Sequence, residues 1–552
     1  MIRSLTWLLH RLPFLALPAL LLTACKGKQE VDLLIFNATL YTVDSAFSKG
    51  EALVVRSGRI EAVGTEKELR SRYEPKETID AGGKFLYPGL IDAHAHFYSY
   101  GLGLQTADLV GTRSWSDILQ RLLDFARNHP EGWLVGRGWD QNDWEEKSFP
   151  DRRSLDSLFP GRPVLLSRID GHASIANEAA LKTAGVQPGQ QITGGSFETV
   201  NGRLTGILID NAATLLESKV PPPSADQVRA ALQAAQRNCF AVGLTTVADC
   251  GLEYPAVETI DSLQRTGQVQ MRIYAMLSDA RQNYEYLFRK GIIKTDRMHV
   301  RSFKVYADGA LGSRGACLLQ PYSDRPGWSG FLLQPPAHFD SVARILYDKP
   351  FQMCTHAIGD SGNRVVLQTY GRYLKGKNDR RWRIEHAQVV APEDFALFGR
   401  YSVVPSVQPT HATSDMYWAG ERLGKDREKG AYAYRELLEQ NGWIPLGTDF
   451  PVEDISPFKT FFAAVARQDA LSWPQGGYQP QNALSRQHAL RGMTIWAARS
   501  LFEEGEKGSL EKGKWADFIL LDRDLMTAPL SSILETKVLA TFIGGKKVFA
   551  QN

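Results

Sequence analysis

Cysteine is scarce in this chain, with five residues among 552, and none of them forms a CxxC pair. Cys239, Cys250, Cys317 and Cys354 follow no spacing that suggests a disulfide framework. They read as buried free thiols, with a Cys239–Cys250 bridge as the weaker alternative. An excess of one charge is lacking too. Lys and Arg number 64 against 61 Asp and Glu, and the net charge of +3 nearly vanishes once Arg3 and Arg11 of the N-terminal segment are set aside. That gives no argument for nucleic acid or another acidic polymer as partner. No long charge run, low-complexity tract or clear repeat is present, which excludes the disordered, fibrous and repeat classes. What remains is ordinary: 43% hydrophobic and 23% charged residues suit a soluble globular enzyme. The length calls for one large domain with a smaller one or with insertions.

Long apolar runs are also missing, with one short exception. MIRSLTWLLHRLPFLALPALLLTAC places basic residues first and then an apolar stretch from Leu12 to Ala24. It is too short, and too broken by Pro13 and Pro18, for a membrane span. It suits a secretory signal peptide over residues 1–24. Its end, Leu22-Thr23-Ala24-Cys25, is similar to the bacterial lipobox, whose cysteine is lipidated and becomes the mature N-terminus; ordinary cleavage or an uncleaved anchor is the alternative. Acyl chains on Cys25 would hold a soluble domain at a membrane without any transmembrane helix, and residues 25–30 read as a tether. The expected location is the bacterial cell envelope, on the periplasmic or outer-membrane face, with membrane contact through the lipid anchor only.

The body of the chain has two textures. VDLLIFNATLYTV, EALVVRSGRIEAVG and ETIDAGGKFLY alternate apolar and polar residues between turn signals, as does the distant tail WADFILLD and VLATFIGGKKVFA. Those segments predict a small antiparallel sheet unit begun at one terminus and finished at the other, over residues 31–87 and 505–552. In between, eight short apolar runs are each followed by helical text: GLIDAHAH, then residues 244–250, 270–277, 300–309, 351–360, 381–388, 401–411 and 443–451. Eight such βα units predict an α/β fold built on a (β/α)8 TIM barrel over 88–99 and 223–504. The gap after the first run is too long for one connection, so residues 100–222 form an inserted subdomain. Pro221-Pro222-Pro223 closes it. Ser224 with Gln227 then fits a capping box for a helix to Ala241, with Gly243 just past its end.

Residues 88–97 read PGLIDAHAHF. In an extended strand His94 and His96 project to one side, and two imidazoles converging from one strand make half of a metal site. For an isolated pair, a packed and a solvated histidine is the commoner outcome. The other strand ends change that balance. The fourth run offers Lys304, the fifth His356, the sixth His386 and the eighth Asp449, all where barrel catalytic residues belong. Imidazole nitrogen and carboxylate oxygen on one rim suit zinc, or a pair of divalent ions.

PGLIDAHAHF, FKVYADGALGSRGA, THAIGD, RIEHAQ, SVQPTHATSD and GTDFPVEDISPF, with the tail GSLEKGKWADFILLD, resemble the amidohydrolase superfamily, specifically its family 3 branch. The resemblance runs from about Val31 to Asn552. It implies a composite β-sandwich from both termini beside the barrel. It makes His94, His96 and Asp449 ligands of a buried metal, and His356 and His386 ligands of a second where two are present. Lys304 matches a lysine that bridges two metals as a carbamate in many relatives. That requires a neutral amine, which burial near cations favours; an ion pair to Asp308 and a single metal is the alternative. The metal would generate a hydroxide nucleophile from bound water. Asp449 would take up the proton and pass it to the departing nitrogen, and His386 or a second metal would polarise the carbonyl.

Four residues are weaker candidates for substrate contact: His172 in RIDGHASIAN, Trp139 in GRGWDQNDW beside Asp140, Arg314 on the loop with Gly309, Gly312 and Ser313, and His411 with Asp415 at the pocket mouth. Arg314 could clamp a carboxylate or sit in a surface or structural ion pair; an aromatic cluster such as that around Trp139 is more often core. His129, His299, His338 and His488 are expected to be non-catalytic. The expected function is metal-dependent hydrolysis of a small-molecule amide, N-acyl, N-formyl or cyclic amide, with a homodimer compatible with the sequence. The alternatives are an ester hydrolase or ring deaminase on the same site and, less in keeping with an intact ligand set, a ligand-binding lipoprotein.

Overall fold

A computed structural model describes residues 28–551. The segment expected to be a signal peptide and lipobox, Cys25 included, lies outside the described residues. No helix among the described residues is long and apolar enough to cross a membrane.

All eight apolar runs become barrel strands or their equivalent. Leu90–Ala95 (β1), Leu244–Leu252 (β2), Arg272–Ser278 (β3), Met298–Tyr306 (β4), Gln352–Ala357 (β5), Arg383–His386 (β6) and Val404–Ser406 (β7) pair in parallel in chain order. Residues 444–448 (β8) close the ring more loosely. Leu446 bridges Val407, the Gly447 amide donates to the Val407 carbonyl, and the Ala93 amide donates to Leu446. β1 and β5 are buried at every position, as expected of strands covered on one face by helices and on the other by the barrel interior. The helix Ala225–Ala241 carries the expected capping box, with Ser224 and Gln227 bonding reciprocally, and turns Val228, Leu232, Ala235 and Cys239 inward. Gly243 follows with φ +83°.

The barrel is packed at one end. Ile91, Ala93, Ala248, Cys250, Tyr274, Met276 and Cys354 fill the interior together with Ala497, Ala498 and Leu501, which come from the helix Ile495–Ser500 and its cap. That plug leaves the rim at the C-terminal strand ends as the accessible face. The four described cysteines are unpaired, so the Cys239–Cys250 bridge does not form.

Both termini contribute to a sandwich. One sheet orders Arg59–Gly64, Ala52–Arg56, Gln29–Phe36 and Tyr73–Asp80. The other joins Thr39–Tyr41, Lys49–Gly50 and Phe85–Pro88 to Phe518–Leu521, Val538–Ile543 and Lys546–Ala550. Leu33, Ile35, Leu53, Val55, Leu86, Phe518 and Phe542 pack between them. The expectation of a purely antiparallel unit is corrected here. Gln29–Phe36 pairs in parallel with Tyr73–Asp80, and Thr39–Tyr41 in parallel with Phe85–Pro88. Alternation reports which face a strand buries but carries no information on its neighbour's direction. Between β1 and β2, a six-stranded sheet from Ala107–Asp108 to Arg203–Asp210 packs on two cores of its own, one around Trp139 and Leu166 and one around Leu181 and Leu208.

Candidate active site and metal centre

Register puts the chemistry on one level. Along adjacent strands Tyr306 is opposite His356, and Ala357 is opposite His386, while the His94 carbonyl accepts the Asp449 amide at 2.8 Å. The ends of β1, β4, β5, β6 and β8 therefore converge. Between β1 and β8 the backbones nearly touch: a Cβ on Gly447 would lie 2.6 Å from the His94 nitrogen and 2.8 Å from Asp92 Oδ1. Asp92 locks that approach, accepting the amides of His94 (3.1 Å) and Thr448 (3.0 Å) and the Thr448 hydroxyl (2.7 Å). Burial pushes its carboxyl up to about 7. His386 and Asp449 hold left-handed backbone, with φ of +74° and +65°. For a non-glycine residue that costs about 1–3 kcal/mol and persists where the surroundings over-determine it.

The ligating atoms of His94, His386 and Asp449 all lie within 4.8 Å of one another, in residues that are buried. His96 Nε2 is 3.1 Å and His94 Nε2 is 3.6 Å from Asp449 Oδ1. Lys304 Nζ stands 3.2 Å from His94 Nε2. The rings of His356 and His386 are 4.6 Å apart. Yet Asp449 Oδ1 and His356 Nε2 are buried without a well-formed hydrogen bond. Buried polar atoms are rarely left so, and facing imidazoles and a carboxylate suit a divalent cation. The donor set fits a metal.

A model of the amidohydrolase family matches residues 77–549. The chain belongs to the amidohydrolase family. It is 33% identical to the protein LONG AFTER FAR-RED 3 of Arabidopsis thaliana over 94% of this chain and 91% of that one. It is 27% identical to the N-substituted formamide deformylase of Arthrobacter pascens over 94% and 98%. Among solved structures it resembles an uncharacterized metal-dependent hydrolase from Pyrococcus horikoshii, with a TM-score of 0.74, 26% identity and coverage of 90% and 99%. As a member of the amidohydrolase family the chain is a metal-dependent hydrolase of carbon–nitrogen bonds other than peptide bonds.

The site's electrostatics favour ligation. Burial, with Lys304 beside it, pushes the His94 imidazole down to about 4. Burial and neighbouring histidines hold His356 and His386 well below the ordinary histidine range. All three are therefore neutral at pH 7, the form that binds metal. Burial alone would raise the Asp449 carboxyl, but the imidazoles facing it, His94 first and then His96 with Nε2 only 3.1 Å from Oδ1, draw it well below its usual range. At Lys304 burial pulls the amine down, but Tyr306 and Cys250, followed by Glu385 and Asp449, more than offset it and raise it. The expected lowering is thus not supplied by the chain's own groups. Nor does Lys304 pair with Asp308, which accepts three backbone amides, from Cys317, Ile358 and Gly359, at 2.8–2.9 Å.

Of the weaker candidates, the structure brings two to the amidohydrolase site. His411 Nε2 lies 3.5 Å from Asp449 Oδ2, and the His172 ring is 4.9 Å from that of His356. Two others are corrected. Trp139 is fully buried in the insertion's core against Trp144 and Phe149, its indole N–H donating to the Leu166 carbonyl at 2.8 Å. Arg314 is committed to Asp324 at 2.8 Å, leaving no fork for a substrate carboxylate. His129 stacks on Phe125, His299 faces Glu503, His338 holds Asp279, and His488 lies beside Trp496, all apart from the cluster.

The sequence reading missed the layer behind the ligands. Glu385 Oε2 takes His94 Nδ1 at 2.5 Å and is gripped by Arg383, 2.7 Å from Nε to Oε1. Arg383 also donates to the Ala93 carbonyl and the Ser406 hydroxyl. Gln408 Oε1 holds His386 Nδ1 at 2.8 Å. Each of these partners fixes which ring nitrogen faces the site. The available signal was charge at positions 383 and 385 of a strand buried throughout.

Proposed function

We propose that the protein hydrolyses a small non-peptide amide (N-acyl, N-formyl or cyclic) with Asp449 moving the proton. The observation that carries this reading is the buried convergence of His94, His386 and Asp449. His94, His96 and Asp449 would hold one divalent cation, zinc by donor chemistry, and His356 and His386 a second, with Lys304, if carboxylated, between them. When bound, the cation makes water a nucleophile at neutral pH and polarises a carbonyl.

The remaining steps belong to side chains. Glu385 keeps Nδ1 of His94 occupied, so Nε2 is the free ligand atom, and Gln408 does the same for His386. Asp449, ionised and with Oδ1 unsatisfied, accepts a proton from the attacking water and returns it to the leaving nitrogen, since an unprotonated amide anion cannot depart. His411, 3.5 Å from Asp449 Oδ2, flanks the carboxylate that moves the proton. A cleft of about 700 Å3 between the insertion and the rim, lined by Asn142 and Trp144 on one side and by Thr410, Ser414 and Glu453 on the other, matches small-molecule sites in size; the proposed metal ligands do not line it. The similarity to the formamide deformylase supports a formamide or related amide as substrate. We further infer lipidation of Cys25 and a place in the bacterial envelope.

The test is elemental analysis of the full-length protein in detergent, alongside Asp449→Asn, with N-formyl, N-acetyl and cyclic amides as substrates. Bound zinc or a similar ion, with turnover lowered at least about a hundredfold in the variant, is the expected result. Folded protein that takes up no divalent metal and turns over none of the amides would refute it.

A further inference from the structure

His172 reaches the rim from the insertion rather than from the barrel. It stands where the strand Ala173–Ala176 begins, opposite the end of Arg203–Asp210: the Asp210 amide donates to the His172 carbonyl at 2.9 Å. Across that last rung the side chains meet again, His172 Nδ1 lying 2.6 Å from Asp210 Oδ1. Three features set this pair apart from a packed core dyad. Asp210 adopts φ +50° and ψ −117°, a region a non-glycine residue occupies only when its surroundings force it. Its carboxylate sits in a slot on the loop after β4, where a Cβ on Gly309 or on Gly315 would come within 2.4 Å of Oδ2. The His172 side chain is 16% exposed, and its only protein hydrogen bond is through Nδ1.

With Nδ1 bound to a carboxylate, Nε2 is the one polar atom the ring has left to offer. The ring lies 4.9 Å from that of His356 and 6.5 Å from that of Tyr306, so it borders the metal cluster from above the barrel. The slot alone would suit a pair that joins insertion to barrel, but such a pair would not need a partly exposed ring with Nε2 left unbonded.

We propose that Asp210 is a positioning residue for His172, whose Nε2 hydrogen-bonds a polar atom of the substrate's amide. The inference rests on the amide-hydrolase reading above. It gives the insertion a part in substrate binding.

Two measurements on the full-length, metal-loaded protein test it. The first is steady-state kinetics on whichever amide is turned over, for His172→Gln, Asp210→Ala, Asp210→Asn and the double variant His172→Gln/Asp210→Ala. One lost hydrogen bond should raise KM about tenfold in His172→Gln, with kcat nearly unchanged. Asp210→Ala should match it and the double variant should be no worse, because both changes remove one contact. Asp210→Asn should recover most of the loss, since its amide oxygen still accepts the Nδ1 proton. An unchanged KM in His172→Gln, or additive losses in the double variant, would overturn the proposal.

The second needs no substrate. Diethylpyrocarbonate should modify His172 ahead of His94, His356 and His386 in the wild type, and at an altered rate in Asp210→Ala, read by peptide mass mapping. If no amide is turned over but this pattern holds, the assigned reaction fails while the dyad stands. If His172 stays unmodified, the free Nε2 is refuted, and the proposal with it.

Discussion

At the scale of single residues, the site depends on side chains that never touch substrate. Glu385 is fully buried between two partners, Arg383 and His94. Burial alone would raise its carboxyl, but Arg383 and His94 hold it well below the ordinary range, so its charge is permanent at neutral pH. Replacing it by glutamine keeps the shape and removes that charge. His94 Nδ1 then loses its ionic partner, and the Arg383 guanidinium is left buried without an anion. Loss of such an outer partner lowers metal affinity by about 10–100-fold, and an unpaired buried charge costs about 3–5 kcal/mol. Glu385→Gln should therefore show both effects: weaker zinc retention in a chelator titration and a lower melting temperature. Weakened metal binding with unchanged melting would place Arg383 in contact with water, against its complete burial.

At the scale of elements, the same logic governs the barrel floor, and pH reads it. The segment after the plug helix Ile495–Ser500 is pinned to the start of β4 by Glu503. Its carboxylate is 2.8 Å from Lys507 and 3.3 Å from His299, and also pairs with Lys294. Burial would raise the Glu503 carboxyl, but Lys507, His299 and Lys294 hold it well below its usual range. A carboxyl depressed in the folded state stabilises above its unfolded value of about 4.3, and that contribution fades as pH falls toward the folded one. Between about pH 5 and pH 3 the wild type should lose melting temperature more steeply than Glu503→Gln, while at pH 7 the variant should melt lower. Parallel pH profiles would argue against the pairing. Elements were also what the sequence showed best. A β8 that makes a single β-bridge was found from WIPLGTDFP because its apolar run and Asp449 obey the same rhythm as the stronger strands. The ligands were legible because each ends such a run. Their partners were not: Glu385 meets His94 across 291 residues, and Asp210 meets His172 through strand pairing inside the insertion. Trp139 and Arg314 misled for the matching reason, since a motif position does not reveal whether a side chain's polar atoms are already taken.

At the scale of the whole molecule, a buried ion pair joins the barrel to the sandwich. Arg272, the first residue of β3, grips Asp517 at the head of the strand Phe518–Leu521 through two hydrogen bonds, of 2.6 and 2.9 Å. Both side chains are nearly inaccessible. Asp517 Oδ1 also accepts the Gly544 amide, and its carbonyl accepts that of Gly89 just before β1. One residue thus ties both ends of the chain to the barrel, which explains how a tail some 400 residues from the N-terminal strands can share their sheet. Two readings of the pair give different outcomes. If it stabilises only through its charges, any change to either partner should be harmful. If its role is to fill and fix the junction, removal of one partner is costly and removal of both is not, because a buried ion pair recovers little beyond its own desolvation. Asp517→Ala should cost about 3–5 kcal/mol in denaturant melts, since Arg272 is left stranded. Arg272→Met/Asp517→Leu should recover most of that, the methionine retaining contact with Trp515, over which the guanidinium now lies at 4.4 Å. A double variant as unstable as the single one would mean that the two halves are held together by the charges themselves, and that the apolar surface between them is too small to join them alone.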